Sequence, residues 1–287
     1  MIKTRPTVRI GIDDERYPAL LKDIHDPPSQ LYCIGDLSLL SMQCVAVVGT
    51  RRCSPYGRWA AGEIARAVAG SGTCVVSGMA SGIDSAAHKG ALDAGGKTLA
   101  VFGTGVDVCF PASNSGLYER IAESGLIVSE YEPGEGPMAW HFPARNRIIS
   151  GLSRATIVVE GAIKSGSMIT ASLALEQGRD VFAVPGNINQ PNSRGVNKLI
   201  ADGASPIMDL GELPQLLGIS KDGEKKALAK LSSEERRYYE IVKFSPGISP
   251  EAAALEADDG AAYAAAILTL MEIKGLIRRD GSALFIR

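Results

Sequence analysis

The chain has 287 residues, of which 45 % are hydrophobic, enough for one large domain with a sizeable core and one small domain. Its formal net charge of −2 excludes a basic nucleic-acid footprint spread over the whole protein, so any such footprint must be local. Five cysteines, an odd number without a C-x-x-C spacing, indicate reduced thiols and argue against a disulfide framework or a metal site. No apolar signal region or run of transmembrane length occurs, which predicts a cytoplasmic protein.

Residues 1–40 are predicted to form a short N-terminal extension with a short helix near Tyr17 and a short strand over 31–34. From 44 to about 210, short β-rich runs alternate with helical stretches, which predicts parallel β-α-β units. The predicted strands are 44–48, 73–77, 97–102, 126–130, 155–160 and 180–184. The predicted helices are 55–70, 83–95, 114–124, 142–151, 167–178 and 194–202. We therefore predict an α/β fold whose doubly wound, extended Rossmann-like sheet occupies residues 41–217.

The C-terminal part is predicted to be a separate small domain. Residues 218–231 are charged and lack apolar periodicity, which is typical of a linker. Within 232–287, three helical stretches precede two short β-rich runs joined by Asp280-Gly281, a hairpin signal. The helical stretches are 234–243, 250–256 and 261–274, and the β-rich runs are 275–279 and 283–286. Three helices followed by a hairpin predict a winged-helix domain.

Three turns, each following a predicted strand, combine small residues with basic ones. They are Gly49-Thr50-Arg51-Arg52, Ser77-Gly78-Met79-Ala80-Ser81-Gly82 and Lys164-Ser165-Gly166-Ser167. In a doubly wound sheet such turns converge outside the carboxyl ends of the strands, where these folds bind ligands. Backbone amides at helix starts favour anions, so the turns predict a phosphate site. Pro185-Gly186-Asn187 repeats the pattern more weakly.

Each turn also has a purely structural explanation. Arg51 and Arg52 can be solvated turn residues, and the small residues of 77–82 can serve close packing between helix and strand. Asp84 and His88, four residues apart on the next helix, are better explained by a helix-surface or a core hydrogen bond than as a catalytic pair, because no third member completes a triad. Lys164 beside Ser165-Gly166-Ser167 is the strongest functional signal, because a plain turn does not require that combination.

The segment 141–147 places Phe142 beside Arg145, Asn146 and Arg147 at a predicted helix start. An aromatic ring next to guanidinium groups suits single-stranded nucleic acid, whose bases stack and whose phosphates form ion pairs. From 141 to 200 there are seven basic residues against three acidic ones, a local net charge of +4. The structural alternative is a solvated helix end with the aromatic residues of this segment in the core.

The sequence argues against catalysis and against a bound cofactor. The glycine-rich turns match neither G-x-G-x-x-G nor G-x-x-x-x-G-K-[ST], and no zinc-binding spacing occurs. Carboxylates are scarce at the predicted strand ends, whereas metal-assisted phosphoryl chemistry needs them to hold the ion. We therefore expect no catalytic residue, no metal and no cofactor.

With these residues identified, the chain resembles the DNA-processing protein A family (DprA, also called Smf). The resemblance is carried, in order, by 17–21, 47–51, 77–88, 142–152, 164–171 and 184–187. It implies an extended Rossmann-like domain that binds single-stranded DNA, a homodimer, and a role in loading RecA recombinase onto incoming strands during natural transformation. Many members carry a longer helical N-terminal domain, for which only about forty residues are available before the first β-α-β unit.

The residues predicted to bind nucleic acid come from all of these segments. They are Gly49, Arg51, Arg52, Ser77, Gly78, Phe142, Arg145, Asn146, Arg147, Lys164, Ser165, Gly166, Ser167 and Asn187.

Two other function classes remain open at this point. Rossmann-like nucleoside-monophosphate phosphoribohydrolases share the general layout, but they need P-G-G-x-G-T followed closely by Glu, and here Glu176 is the first glutamate after the Lys164 loop. A winged-helix regulator of duplex DNA is the second alternative. From 221 to 287, however, eleven basic and eleven acidic residues give no net charge, which is poor for a duplex reader.

Overall fold

The computed structural model describes residues 5–219, 231–274 and 276–286. The chain divides into two compact units, Met1–Lys221 and Asp222–Arg287. The predicted linker, 218–231, falls mostly on 220–230, outside the described residues. The domain boundaries therefore stay a prediction at that point.

The described residues of the first unit form one nine-stranded sheet with the spatial order β1-β2-β6-β5-β4-β3-β7-β8-β9. The strands are β1 (Val8–Gly11), β2 (Gln30–Gly35), β3 (Cys44–Val48), β4 (Cys74–Ser77), β5 (Thr98–Val101), β6 (Leu126–Ser129), β7 (Ala155–Val158), β8 (Asp180–Ala183) and β9 (Ser205–Pro206). Strands β3 to β9 are parallel to one another, and β1 and β2 add antiparallel strands at the β6 edge.

Helices cover both faces of this sheet. They are α1 (Ala19–Lys22), α2 (Pro55–Gly70), α3 (Ile83–Asp93), α4 (Ser115–Ser124), α5 (His141–Gly151), α6 (Gly166–Glu176), α7 (Arg194–Ala201) and α8 (Leu213–Leu216). Val45 and Val47 pack in one core cluster with α2 and α3 residues. Ala46 and Val48, on the opposite face, pack with residues of α5, α6 and α7. Strand β3 is thus buried along its whole length, as expected for a central parallel strand.

The predicted doubly wound α/β sheet is confirmed. Each predicted strand is present within two residues of its expected ends, and α2 has the predicted bounds. Ser54 caps α2 by accepting a hydrogen bond from the Gly57 amide at 2.9 Å, and Pro55 occupies its first turn. Strands β1 and β9 are additions to the prediction. Both are short edge strands, and only Ile10 of β1 is buried, so neither carries a clear hydrophobic pattern.

The strand order creates a topological switch point between β3 and β7. From β3 the chain moves to β4 on one side, and it later returns to β7 on the other side. The loops that follow β3 and β7 therefore diverge, which opens a crevice at the carboxyl ends of these two strands.

The second unit contains three helices and a hairpin. They are α9 (Ser233–Phe244), α10 (Pro250–Glu256), α11 (Ala261–Ile273), β10 (Ile277–Asp280) and β11 (Ala283–Ile286), with β10 and β11 antiparallel. Tyr238, Val242, Leu268, Met271 and Leu284 are buried together as its core. The winged-helix assignment stays a prediction. Across the described parts of both units, no helix has the length and apolar character needed to span a bilayer.

Candidate functional site

A cavity of about 490 Å³ opens at the switch point, at the carboxyl ends of β3 and β7. We call it the strand-end pocket. Its lining comes from the turn after β3, the start of α3, the start of α5 and the start of α6. The lining residues are Val48, Gly49, Thr50, Arg51, Arg52, Ala80, Asp84, Ala139, Phe142, Pro143, Arg145, Asn146, Ile149, Ser165, Gly166, Ser167, Thr170 and Asn192. The pocket thus brings together three segments that the sequence predicts to converge.

The turn after β3 forms the cationic wall of this pocket. A Cβ at Gly49 would lie 2.5 Å from the Ile83 side chain and 2.8 Å from the Glu160 carbonyl oxygen, so only glycine fits there. Arg51 and Arg52 are both exposed, and neither forms an ion pair with a described residue. Two exposed guanidinium groups are therefore available to an anion.

An aromatic wall adjoins the cationic wall. The Arg51 guanidinium lies over the Phe142 ring, 5.4 Å from its centroid, and the Phe110 ring packs against Phe142 in a tilted arrangement at a centroid distance of 5.4 Å. His141 anchors the start of α5, since it is fully buried, stacks on Tyr131 at 3.7 Å, and its Nδ1 lies 3.1 Å from the Gly103 carbonyl oxygen. Phe142 is therefore held in a fixed position beside a free cation.

Arg145 forms the floor of the pocket as a buried structural group. Its guanidinium donates to the Gly78 carbonyl at 2.8 Å and to the Val101 carbonyl, and the residue is only 4 % exposed. Burial lowers the pKa of Arg145 to about 10, although the nearby Asp84 carboxylate opposes this change. Burial likewise raises the pKa of Asp84, against the effect of Arg145. Arg145 thus joins the ends of β4 and β5, and its contact with nucleic acid stays a prediction.

Ser77, Gly78 and His88 lie behind this floor. The Ser77 hydroxyl donates to the Val47 carbonyl at 2.6 Å, and a Cβ at Gly78 would lie 2.6 Å from the Arg145 guanidinium. His88 is fully buried, with its Nδ1 2.7 Å from the Thr98 hydroxyl, so it is a core hydrogen-bonding residue and not a partner of Asp84. Burial lowers the pKa of His88 to about 3, which keeps the ring neutral.

The start of α6 forms the third wall. The first turn of α6 contains no acidic residue, and the Ser165 side chain does not cap it. The Ser165 and Ser167 hydroxyl oxygens lie 2.8 Å apart, and the Asn146 side chain donates to the Gly166 carbonyl at 3.2 Å. Amide groups at an uncapped helix start, next to two hydroxyls, form a favourable place for a phosphate oxygen.

Five of the predicted residues lie outside the lining: Ser77 and Gly78 behind the floor, and Arg147, Lys164 and Asn187. Arg147 is held by two ion pairs, at 2.7 Å to Glu130 and at 3.0 Å to Asp26, so its charge is already neutralised. Lys164 is exposed and adjoins the lining residue Ser165, and Asn187 is exposed in the turn after β8. Lys164 is therefore next to the pocket, as the chain neighbour of a lining residue, whereas Arg147 does not line it.

The prediction also missed residues that line the pocket, namely Thr50, Asp84, Ala139 and Asn192. The Asn192 side chain donates to the Arg52 carbonyl at 2.9 Å and so connects the loop after β8 with the cationic turn. Nothing in the sequence marks Asn192, because it lies 140 residues from Arg52 and follows an ordinary proline turn.

The carboxylates near the pocket already have structural partners. Both oxygens of Glu160 accept hydrogen bonds from Ser54, from its amide at 2.9 Å and from its hydroxyl. Asp84 accepts from the Ala80 amide at 3.3 Å. Among the described residues, no group of three or more histidine, cysteine or acidic side chains is arranged to hold a metal ion. The pocket offers exposed cations, amides and an aromatic ring, a set that suits binding of a polyanion.

A second groove of about 490 Å³ lies between α6 and α7. Its charged residues alternate in sign, and Lys198 pairs with Asp202 at 2.9 Å. This groove therefore lacks the excess positive charge of the strand-end pocket.

Comparisons with known proteins identify a family and relatives that this chain resembles. Residues 9–218 match the family model of DNA recombination-mediator protein A. The chain is 49 % identical over 194 residues to DNA processing protein DprA of Streptococcus pneumoniae, covering 68 % of each chain. The crystal structure of that DprA aligns with a TM-score of 0.70 and 44 % identity over 75 % of each chain. DNA processing protein A of Helicobacter pylori, whose structure describes a single-stranded DNA binding mode, aligns with a TM-score of 0.69 and 34 % identity over 76 % of this chain and 99 % of that one.

Proposed function

The chain belongs to the DNA recombination-mediator protein A family, and we propose that it binds single-stranded DNA in the strand-end pocket. The observation that carries this proposal is the pocket's composition at the switch point of the sheet. Arg51 and Arg52 form no ion pair with a described residue, Phe142 presents a ring beside Arg51, and the nearby carboxylates accept hydrogen bonds from structural partners. The relative from Helicobacter pylori supports the choice of a single strand.

The proposed binding mode follows from these side chains. A phosphate is bound between the guanidinium groups of Arg51 and Arg52 and the first-turn amides of α6, with Lys164 adding positive charge at the rim. A base stacks on Phe142, which is sequence-independent because every base has a π-face. Ser165, Gly166 and Ser167 contact the backbone of the strand, and Gly49 allows its close approach.

The remaining predicted residues receive different proposed roles. The pocket is shaped from behind or below by Ser77, Gly78, Arg145 and Asn146. Asn187 lies on the exposed turn after β8. For Arg147 we propose a structural role, since its guanidinium is paired with Glu130 and Asp26. Removing the Arg147 charge would leave the Glu130 and Asp26 carboxylates without their partner and would not remove a DNA contact.

Family membership also supports a biological role. We propose that the protein acts in the cytoplasm as a homodimer and loads RecA recombinase onto incoming strands in natural transformation and recombination. Sedimentation equilibrium of the full chain tests the dimer. RecA filament formation on single strands, with and without this protein, tests the loading step.

A hydrolytic function is the rejected alternative. The carboxylates in and near the pocket, Asp84 in its lining and Glu160 outside it, accept hydrogen bonds from other groups of the protein, which argues against a role in proton transfer. We therefore propose that the protein is not an enzyme and needs no nucleotide cofactor. Release of ribose 5-phosphate from a nucleoside monophosphate would place it among the phosphoribohydrolases instead.

The second unit is proposed to be a protein-contact or regulatory module. Its third helix, α11, carries no Lys, Arg, Asn or Gln, the side chains that read base edges in the major groove. The family match ends at residue 218, before this unit begins. Arg278 and Arg279 on β10 are its candidate contacts to a DNA backbone, although Arg278 lies over the Phe285 ring and Arg279 pairs with Glu272.

Truncation after Gly218 is expected to keep most of the affinity for single-stranded DNA, because the strand-end pocket lies wholly in the first unit. Fluorescence anisotropy with a labelled oligothymidine measures this affinity. A loss of more than about tenfold, equivalent to about 1.4 kcal/mol, in a truncated protein that stays folded and dimeric would contradict the placement of the site.

The direct test of the proposed function compares a single strand with a duplex of the same length. We expect the single strand to bind more tightly, because its bases are free to stack on Phe142. Equal or tighter binding of the duplex would contradict the proposal and favour a duplex-binding regulator.

A further inference from the structure

Two aromatic side chains stand exposed beside the strand-end pocket, on the first turns of α2. Tyr56 is 50 % exposed and Trp59 is 57 % exposed, and their ring centroids lie 5.9 Å apart. The buried side of α2 is formed by other residues, including Ala60, Ala61 and Ile64. The rings therefore contribute little to the core, although large aromatic side chains are usually buried.

The start of α2 is fixed to the pocket by several contacts. Ser54, its N-cap, is bound to the Glu160 carboxylate at the end of the β7 segment. A Cβ at Gly57 would lie 2.3 Å from the carboxyl carbon of Glu160, so this turn of helix and the carboxylate are in close contact. The pocket residue Arg52 lies four positions before Tyr56. The two rings are thus held in a fixed position next to the cationic wall.

The chain around these rings is rich in exposed positive charge, and the Glu160 carboxylate beside Gly57 is taken up by its hydrogen bonds from Ser54. Between 49 and 62 the chain contains Arg51, Arg52 and Arg58 and no acidic residue. The first acidic residue of α2, Glu63, pairs with Arg66 at 3.5 Å. Arg58 lies between the two aromatic residues, is exposed, and forms no ion pair with a described residue. The helix start adds a partial positive charge of its own.

Stacked or tilted aromatic rings along a cationic surface are the pattern that holds single-stranded nucleic acid. We propose that Tyr56 and Trp59 form a base-stacking platform that takes up nucleotides of a bound single strand beyond the strand-end pocket, where the exposed Arg58 adds positive charge. This proposal rests on the proposed function and extends the bound path from Phe142, across Arg51 and Arg52, onto α2.

The test uses the full chain and two labelled probes of equal length. One is an oligothymidine of about 20 nucleotides, longer than a typical single-module site. The other has the same sugar-phosphate backbone with abasic sites in place of the bases. The variant Tyr56→Ala/Trp59→Ala is expected to bind the oligothymidine at least about tenfold more weakly, and to bind the abasic strand as the unmodified chain does. Trp59→Phe, which keeps a ring, is expected to bind close to the unmodified chain.

Tyr263→Ala is the matched control, because Tyr263 is 48 % exposed on the second unit, on a helix without basic side chains. It is expected to bind both probes unchanged. Both platform rings are half exposed, so we expect the double variant to keep the melting temperature of the unmodified chain. A second readout does not depend on alanine variants. In Trp140→Phe, Trp59 is the sole tryptophan, and its fluorescence is expected to be quenched by the oligothymidine and not by the abasic strand.

The possible results separate the two proposals. If the unmodified chain binds the oligothymidine and the double variant binds it equally well, the platform is refuted while the proposed function stands. A parallel loss on both probes would also refute stacking, since it would show a phosphate contact or a structural role. If the unmodified chain binds neither probe, the proposed function and the platform both fail.

Discussion

The double variant Arg51→Ala/Lys164→Ala is expected to lose most of its affinity for single-stranded DNA while keeping its fold. Each substitution removes one proposed phosphate contact at the strand-end pocket. A hydrogen bond to a charged group contributes about 1.5–3 kcal/mol, so each single variant should weaken binding by about tenfold or more. Anisotropy titration with a labelled oligothymidine measures the loss. Arg51 also lies over Phe142, so its removal weakens the placement of that ring.

The matched control is Arg120→Ala, which removes one positive charge from the same unit. Arg120 is on α4, half exposed, and pairs with Asp93 at 2.6 Å, outside the pocket lining. This control distinguishes the loss of a local DNA contact from the effect of lowering the net charge of the protein. Affinity close to that of the unmodified chain in Arg51→Ala/Lys164→Ala, or an equal loss in Arg120→Ala, would contradict the assigned site. The melting temperatures of Arg51→Ala/Lys164→Ala, of its single variants and of Arg120→Ala should agree within the effect expected for surface substitutions.

In contrast to the surface variants, which keep their fold, Arg145→Met is expected to lose much of the free energy of unfolding. The methionine leaves the Gly78 and Val101 carbonyls without their donor and leaves the buried Asp84 without its counter-charge. Each buried carbonyl that loses its donor costs about 1–3 kcal/mol, so the variant should lose at least about 2 kcal/mol of folding stability. Urea unfolding at neutral pH measures this difference, with Arg51→Met as the exposed counterpart that should change the free energy of unfolding by less than about 0.5 kcal/mol.

A second substitution tests the physical reason. In Asp84→Asn/Arg145→Met the uncompensated carboxylate is gone, so the double variant should be less destabilised than the sum of the two single variants. Strict additivity, or a loss of under about 1 kcal/mol in Arg145→Met alone, would contradict the assignment of Arg145 as a buried support.

The pocket's location and much of its composition could be predicted from the sequence. The reason is that strand-end turns of a doubly wound sheet must meet at the switch point, whatever the details of packing. Gly49, Arg51 and Ser165-Gly166-Ser167 could be placed at one site because each follows a short, predominantly apolar strand. The pattern of strands and helices alone was enough for this step.

The different roles of the arginines could not be predicted in the same way. Arg145 and Arg147 lie two positions apart on one helix, so they point in different directions, and only tertiary contacts decide what each meets. Arg145 meets the carbonyls of Gly78 and Val101, and Arg147 meets Glu130 and Asp26. These partners come from distant parts of the chain, and local charge counts give equal weight to buried, paired and free cations.

The N-terminal region illustrates a second limit. The sequence predicts a short extension there with one strand over 31–34, which is β2, but it predicts neither β1 nor the antiparallel pairing by which β1 and β2 extend the sheet beyond β6. Asp26 from this region pairs with Arg147 on α5. The segment therefore helps to position the helix that carries Phe142, a role that only the folded structure shows.

The salt dependence of single-strand binding tests the central claim most directly. If four to six phosphates are neutralised, the logarithm of the association constant should fall with the logarithm of salt concentration at a slope of about −3 to −4. The slope should become shallower by about 0.7 for each phosphate contact removed, and so by about 1.4 in Arg51→Ala/Lys164→Ala. A salt-independent affinity in the unmodified chain, or the same slope in both proteins, would contradict a phosphate-binding site between β3 and β7.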